Sequence, residues 1–289
     1  MKTRFAIIIA LVALASSCTK EVVLPMDNND VKTCSVSASI AGATKALQAS
    51  VLKSSWNAND RISLLSNNSN SYFVTSSEGT QASFTLYDGN NNLANGTVYA
   101  EYPVSGILSG NGHTFSLEFQ NGSADQINKY SLMTAVGQAV NGNASLTFEN
   151  RLAVINLKNV QFPSVSKSIK NIKISGEGIA SVLNVKAEGN AIAVSAANEE
   201  SIVINAPATS EDRFLGFEED GDYNFYVVIP ATAAKTLTVT ATDALNNSFT
   251  CTVDCNEGFA NGQMYTVSDI TLDAKLAINF SASVNDWKE

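Results

Sequence analysis

The chain contains a single histidine, His113 in the stretch NGHTFSL. One imidazole held between a nucleophile and a carboxylate is formally enough for acyl-transfer chemistry. No serine lies in a nucleophile elbow, and a histidine between a Gly-rich turn and a strand reads as a turn residue near solvent. Of the four cysteines, Cys251 and Cys255 share the stretch FTCTVDC. Zinc wants several His or Cys ligands at short spacing, and this pair lacks a second one. On an extended strand two residues four apart are about 13 Å apart, beyond disulfide reach unless the chain bulges or turns. Cys34 could pair with either of them, or all three could be idle thiols. The stretch GFEEDGDYNF gathers Glu218, Glu219, Asp220 and Asp222. Such clusters suit hard cations, but EF-hand spacing is absent and a solvated loop of like charges accounts for them. No phosphate-binding glycine loop follows a strand. The residues point to no enzyme, no metal and no cofactor.

The cysteine that does suggest chemistry is Cys18. The chain opens MKTRFAIIIALVALASSCTKE. Lys2 and Arg4 form a positive region, Phe5 to Leu14 an apolar run too short to span a bilayer, and Ala15-Ser16-Ser17 a small-residue step. A cysteine directly after that step resembles a bacterial lipoprotein signal, with cleavage before Cys18 and lipidation of its sulfur. The apolar residue usual three places before the cysteine is here Ala15. Removing residues 1–17 from the 289 leaves 272 and moves the net charge from −9 to −11. So acidic a chain, without a basic block, has no electrostatic means of binding nucleic acid. Membrane attachment would rest on acyl chains, not on the folded surface.

The elements that would carry these residues are short strands. Residues 18–34 show no period and read as a tether. From SVSASI onward, runs such as DRISLLS, SYFVTS, ASFTLYD and TVYAEYP alternate polar and apolar residues, separated by turn clusters such as SNNSNS, DGNNN and QNGS. LAVINLK, IKNIKISG, YNFYVVIPA and TLTVTATDALNNSFTCTV continue the pattern, the last reading as a hairpin about DALNN. No capped window of helical period stands out. The pattern predicts an all-β chain of two tandem β-sandwich domains, 35–143 and 144–272, with the break near Asn141-Gly142-Asn143 and a tail at 273–289.

Four motifs then fall in order. Trp56 precedes Asn59-Asp60-Arg61-Ile62; Tyr99-Ala100-Glu101-Tyr102-Pro103 ends a strand; Phe148 precedes Leu152-Ala153; and Gly262 precedes Tyr265 and Val267. Their order resembles the fimbrillin family of Bacteroidetes surface lipoproteins, subunits of type V pili, with Arg151 where many members have His. The resemblance implies transthyretin-like sandwiches, export as a lipoprotein to the outer membrane, and trimming in the first domain by a trypsin-like protease. It also implies assembly with other pilus subunits into a surface fimbrium by strand exchange. In AGATKALQASVLKSSW the only basic residues are Lys45 and Lys53, and the Thr-Lys-Ala step at Lys45 best matches the processing site, with Lys in place of the usual Arg.

Read without the family, Trp56 and Tyr102 are large rings able to close the ends of a core. Asp60 can cap turn N–H groups, and Pro103 ends the strand. In the tail, Leu276, Ile278, Phe280, Ala282 and Val284 fall at strict period two. That spacing fits a donor strand laid into a groove on another subunit, and equally the last strand of the second domain. The alternative function is a monomeric outer-membrane lipoprotein that binds glycan or a host protein through exposed aromatic rings.

Overall fold

A computed structural model describes residues 34–41, 52–90, 93–161, 169–198, 201–205, 223–270, 279–281 and 283–284. Those residues fall within one unit, Lys32–Glu289, and the fold is all-β. Strand alternation sets it up. In β1 (Ser35–Ile40) Val36, Ala38 and Ile40 are buried and the serines between them face out. Next come β2 (Arg61–Ser66), β3 (Ser69–Thr75), β4 (Gln81–Gly89) and β5 (Gly96–Tyr102). After β6 (His113–Ser116) come β7 (Met133–Val140) and β8 (Asn143–Asn150). All of these except β6 form a closed barrel in the order β1-β4-β3-β2-β5-β7-β8. Closure is made by β1, antiparallel to β4 and parallel to β8.

The turns follow from their residues. Asn67-Asn68 (φ 46° and 59°) joins β2 to β3, and Asn141-Gly142 (φ 53° and 80°) joins β7 to β8. Two successive positive φ values give the turn whose twist matches paired strands, and Asn and Gly reach them at least cost. The stretch Asn141–Asn143, expected to mark a break between domains, is therefore a hairpin turn inside the barrel. Residues 144–150 pair there with β1 and β7.

The remaining strands are β9 (Leu152–Val160), β10 (Ile169–Ser175), β11 (Val182–Glu188), β12 (Ala191–Ala196) and β13 (Ile202–Asn205). They are followed by β14 (Tyr223–Pro230), β15 (Thr236–Asp243), β16 (Ser248–Asp254), β17 (Met264–Ser268), β18 (Asn279–Ser281) and β19 (Ser283–Val284). They build three sheets ordered β13-β10-β15-β16-β18, β12-β11-β6 and β14-β9-β17-β19. The β15–β16 hairpin turns at DALNN, where Asp243 Oδ1 accepts the N–H groups of Leu245 and Asn247 at 2.9 and 2.8 Å.

Two cores result. The barrel core holds Val36, Trp56, Ile62, Phe73, Phe84 and Phe148, and the second holds Val154, Ile172, Phe225, Val239 and Phe249. Residues 103–132 leave the barrel between β5 and β7 and bury Leu108, Phe115, Leu117, Ile127 and Leu132 in the second core. Within that excursion β6 pairs with β11, and a 3-10 helix, Ala124–Tyr130, is held by the Gln126 amide on the Tyr226 carbonyl. Strands β2 and β5 are consequently buried on both faces. Ile62, Leu64, Val98 and Ala100 enter the barrel core, while Leu65 and Tyr99 pack on the second. No described helix is long and apolar enough to cross a membrane. The three described cysteines, Cys34, Cys251 and Cys255, are free and buried, and burial pushes the Cys251 thiol up to about 12.

Candidate functional site: the barrel end and the slot of the first strand

The residues of the first two motifs meet at one end of the barrel. The turn Asn57–Asp60 is closed by Asp60 Oδ2, which accepts the Asn57 N–H at 2.6 Å, with Asn59 at φ 71°. The same oxygen pairs with Lys53 Nζ at 2.8 Å, and Oδ1 accepts the Tyr102 hydroxyl at 3.2 Å. Lys53 sits over the Tyr102 ring at 4.9 Å. Burial, and then the Asp60 charge and hydrogen bond, hold the Tyr102 phenol above its usual range, so it remains a donor. Trp56 is fully buried beneath them, edge-on to Phe84, Phe148 and Tyr102 at 5.0, 5.2 and 5.5 Å. Pro103 follows Tyr102 through a cis peptide bond.

Of the later motifs, Phe148 lies in β8 within the barrel core, and the remaining residues lie side by side in the second half. Leu152 and Ala153 open β9, Tyr265 and Val267 lie in β17, and the two strands run parallel in register. Gly262 donates its N–H to the Leu152 carbonyl at 2.7 Å. Arg151 donates from Nε to Thr134 Oγ1 and reaches Glu149 at 3.8 Å.

The second feature is the slot occupied by β1. Its ladder with β4 runs from Ser35↔Thr85 to Ser39↔Gln81, and that with β8 from Ser35↔Asn143 to Ile40↔Phe148. Ser35 Oγ donates to Asn143 Oδ1 at 2.6 Å. Cys18, Lys45, Leu276, Ile278, Ala282 and the acidic residues 218–222 lie outside the described residues. Phe280 lies in β18, which pairs with β16 over three residues, and Val284 in β19, which pairs with β17 over two. Among the described residues both are short edge ladders.

His113 is not a solvent-facing turn residue. Its Nε2 lies 2.6 Å from Glu101 Oε2, with the histidine side chain 11% and the glutamate 0% exposed. Gly106 makes the room, since a Cβ there would sit 2.3 Å from His113 Cγ. Ser105 donates to the other Glu101 oxygen, and His113 Nδ1 lies 3.2 Å from the Thr114 carbonyl. Serine, histidine and glutamate are thus adjacent in the wrong order for nucleophilic catalysis. The hydroxyl rests on the carboxylate, and the imidazole has no nucleophile to deprotonate. Nothing in the sequence marked Glu101 except its place in a motif, since strand alternation carries no sign of a second burying surface.

Both ring nitrogens face acceptors, which suits the imidazolium. Burial lowers the His113 pKa, but the hydrogen bond and charge of Glu101 and the Thr114 carbonyl outweigh it, so the net direction is up. A raised folded-state value means that the contribution to stability is full below about pH 6.5. It is lost as the pH rises through the folded value. Because β6 belongs to the sheet with β11 and Glu101 to the barrel, the pair links the two cores. The urea midpoint of the wild type should fall between pH 6 and pH 9 by more than that of His113→Gln. Parallel profiles for the two would show that the pair adds no pH-dependent stability.

Comparison with known proteins places these features. A sequence model of the fimbrillin-like family matches residues 44–287. The fold is similar to that of a proposed cell adhesion protein from Bacteroides uniformis, with TM-score 0.51 and 16% identity over 89% of this chain and 98% of that one. A proposed cell adhesion protein from Bacteroides ovatus gives TM-score 0.49 and 15% identity over 88% and 96%. The tip fimbrial protein Mfa3 of Porphyromonas gingivalis, with a C-terminal truncation, gives 0.43 and 7% over 88% and 100%. No curated protein matches the chain in sequence. With most of its length matched, the chain belongs to the fimbrillin-like family.

Proposed function

We propose that this chain is a structural or adhesive subunit of a cell-surface fimbrium, exported as an outer-membrane lipoprotein anchored through Cys18 and joined to other subunits by β-strand exchange. The division into two β-sandwich domains belongs to the same reading, with the barrel strands through β8 assigned to the first. The observation that carries it is the position of β1. It is the strand that closes the barrel, and Lys45 falls in the segment between it and β2. A cut at Lys45 breaks its covalent link to everything downstream. Departure of β1 would leave unpaired edges on β4 and β8 and uncover the core that Val36, Ala38 and Ile40 close. Burying Val36 and Ile40 is worth about 1.5–3 kcal/mol each, so an empty slot is strongly unfavourable and a substitute strand is drawn in. The tail of another subunit has the required period-two face in Leu276, Ile278 and Phe280, continued by Ala282 and Val284. Among the described residues its ladders span three and two residues, little to give up on leaving its own sheets. Donor and acceptor are different surfaces of each copy, so the contact propagates instead of closing a dimer.

Trypsin treatment of the mature protein should yield ladders or fibres, while a variant ending at Asp273 should be cut and stay monomeric. Polymerisation of both alike would remove the tail as donor. A second reading, a monomeric outer-membrane lipoprotein that binds glycan or a host protein, draws support from an open aromatic cleft at the barrel end.

A further inference from the structure

Next to the Lys53–Asp60–Tyr102 node lies a cleft of about 490 Å³ that strand exchange does not use. Tyr72, Tyr87 and Tyr102 line it together with Arg61, and Val104 stands at its side. The tyrosines come from β3, β4 and β5, strands of one sheet with β2 between β3 and β5, so the paired strands fix their positions. Tyr87 is 56% exposed, a large ring left in solvent. The Arg61 guanidinium carbon stands 4.0 Å from the centre of the Tyr87 ring. Stacking of this kind uses the face of the guanidinium and leaves the N–H groups in its plane for another acceptor. Among the described residues no carboxylate pairs with Arg61. Asp60, the acid lining the same cleft, is already engaged by Lys53, the Asn57 N–H and the Tyr102 hydroxyl. One cation therefore faces the cleft unmatched, on a chain whose net charge is −9.

The geometry points to a binding site for an acidic saccharide, with the pyranose ring against the tyrosines and its carboxylate on the Arg61 fork. Aromatic rings with phenol hydroxyls offer the apolar faces and polar edges that a pyranose presents in return. A stacked arginine offers two parallel N–H donors of the spacing a carboxylate accepts. The volume lies within the range of small-molecule pockets. The inference rests on the glycan-binding part of the second reading and is independent of whether the chain polymerises.

The test is a titration of the uncut mature chain with methyl glucuronide, followed by saturation transfer to the sugar protons. Methyl glucoside and acetate serve as the neutral ring and the ringless carboxylate. Methyl glucuronide should bind, with the two comparison ligands much weaker. Loss of a charge-assisted bidentate contact should weaken binding in Arg61→Ala by at least about tenfold. Tyr87→Ala should weaken it in the same direction, and Arg61→Lys should restore only part. Both side chains are exposed, so unchanged urea midpoints will show that the variants are folded. Equal binding of methyl glucoside or of acetate would overturn the assignment. Binding of glucuronide untouched by either variant would overturn this cleft while leaving a glycan site elsewhere. No glucuronide binding at all would overturn the acidic-sugar assignment and leave only a neutral-glycan or protein ligand for the second reading.

Discussion

Replacing Trp56 with alanine should lower the unfolding free energy by roughly 3–5 kcal/mol, a large part of the 5–15 kcal/mol that holds an ordinary domain together. The indole is fully buried and meets three rings edge-on, from β4, β5 and β8. Its backbone also exchanges N–H···O bonds with Gly79 at 2.7 and 3.0 Å, which anchors the segment leading into β2. The neighbours on three strands of a closed barrel cannot collapse together, so the cavity should persist. The indole Nε1–H has no acceptor among the described residues. Trp56→Phe therefore gives up a buried donor that was already unpaired, and should cost less than about 2 kcal/mol. Urea denaturation of the three proteins decides the matter. Equal losses for Phe and Ala would mean that only the full indole, and not a smaller aromatic ring, fills the site; a loss under about 1 kcal/mol for Ala would remove Trp56 from the centre of the core.

Asp60→Ala should cost a comparable 3–5 kcal/mol, because it leaves the Lys53 ammonium buried without its counter-charge. Lys53 and Asp60 are only 7% and 12% exposed, so solvent offers little replacement. The substitution also strips the acceptor from the Asn57 N–H and from the Tyr102 hydroxyl. Lys53→Met should cost less, since Asp60 keeps those two donors. The double variant should be more stable than the sum of the single losses predicts, by at least about 1 kcal/mol, because neither orphaned charge remains. Strict additivity in a double-mutant cycle would mean that the 2.8 Å pair carries no coupling. The aromatic cleft shares Asp60 and Tyr102 with this node, so Asp60→Ala should also disturb sugar binding, whereas Arg61→Ala should leave stability unchanged.

Strand content could be read from the chain because alternation of period two is a local property, visible in SVSASI or TLTVTATD without knowing any partner. The turns were equally local: Asn-Asn and Asn-Gly steps reach positive φ cheaply and select tight hairpins. The order of four weak motifs was enough to indicate the family. Local pattern does not say which strands pair, however, and here it misled at Asn141–Asn143. The same Asn-Gly signal that looked like a boundary is a hairpin in a barrel closed by a parallel ladder between β1 and β8, over 100 residues apart in sequence. The cleft assembled from β2, β3, β4 and β5 depends on register across four strands, and no single stretch reveals it. Lys53 looked like a spare basic residue in a polar segment, and His113 like a turn histidine. Only the fold brings Asp60 to the first and Glu101 to the second. Glu101 lies on a strand covered on both faces, and that second covering comes from residues 103–132, which leave the barrel for the other core. Burial of a charge is decided by what packs over it from afar, so period and composition were silent, and the tertiary structure alone created both pairs.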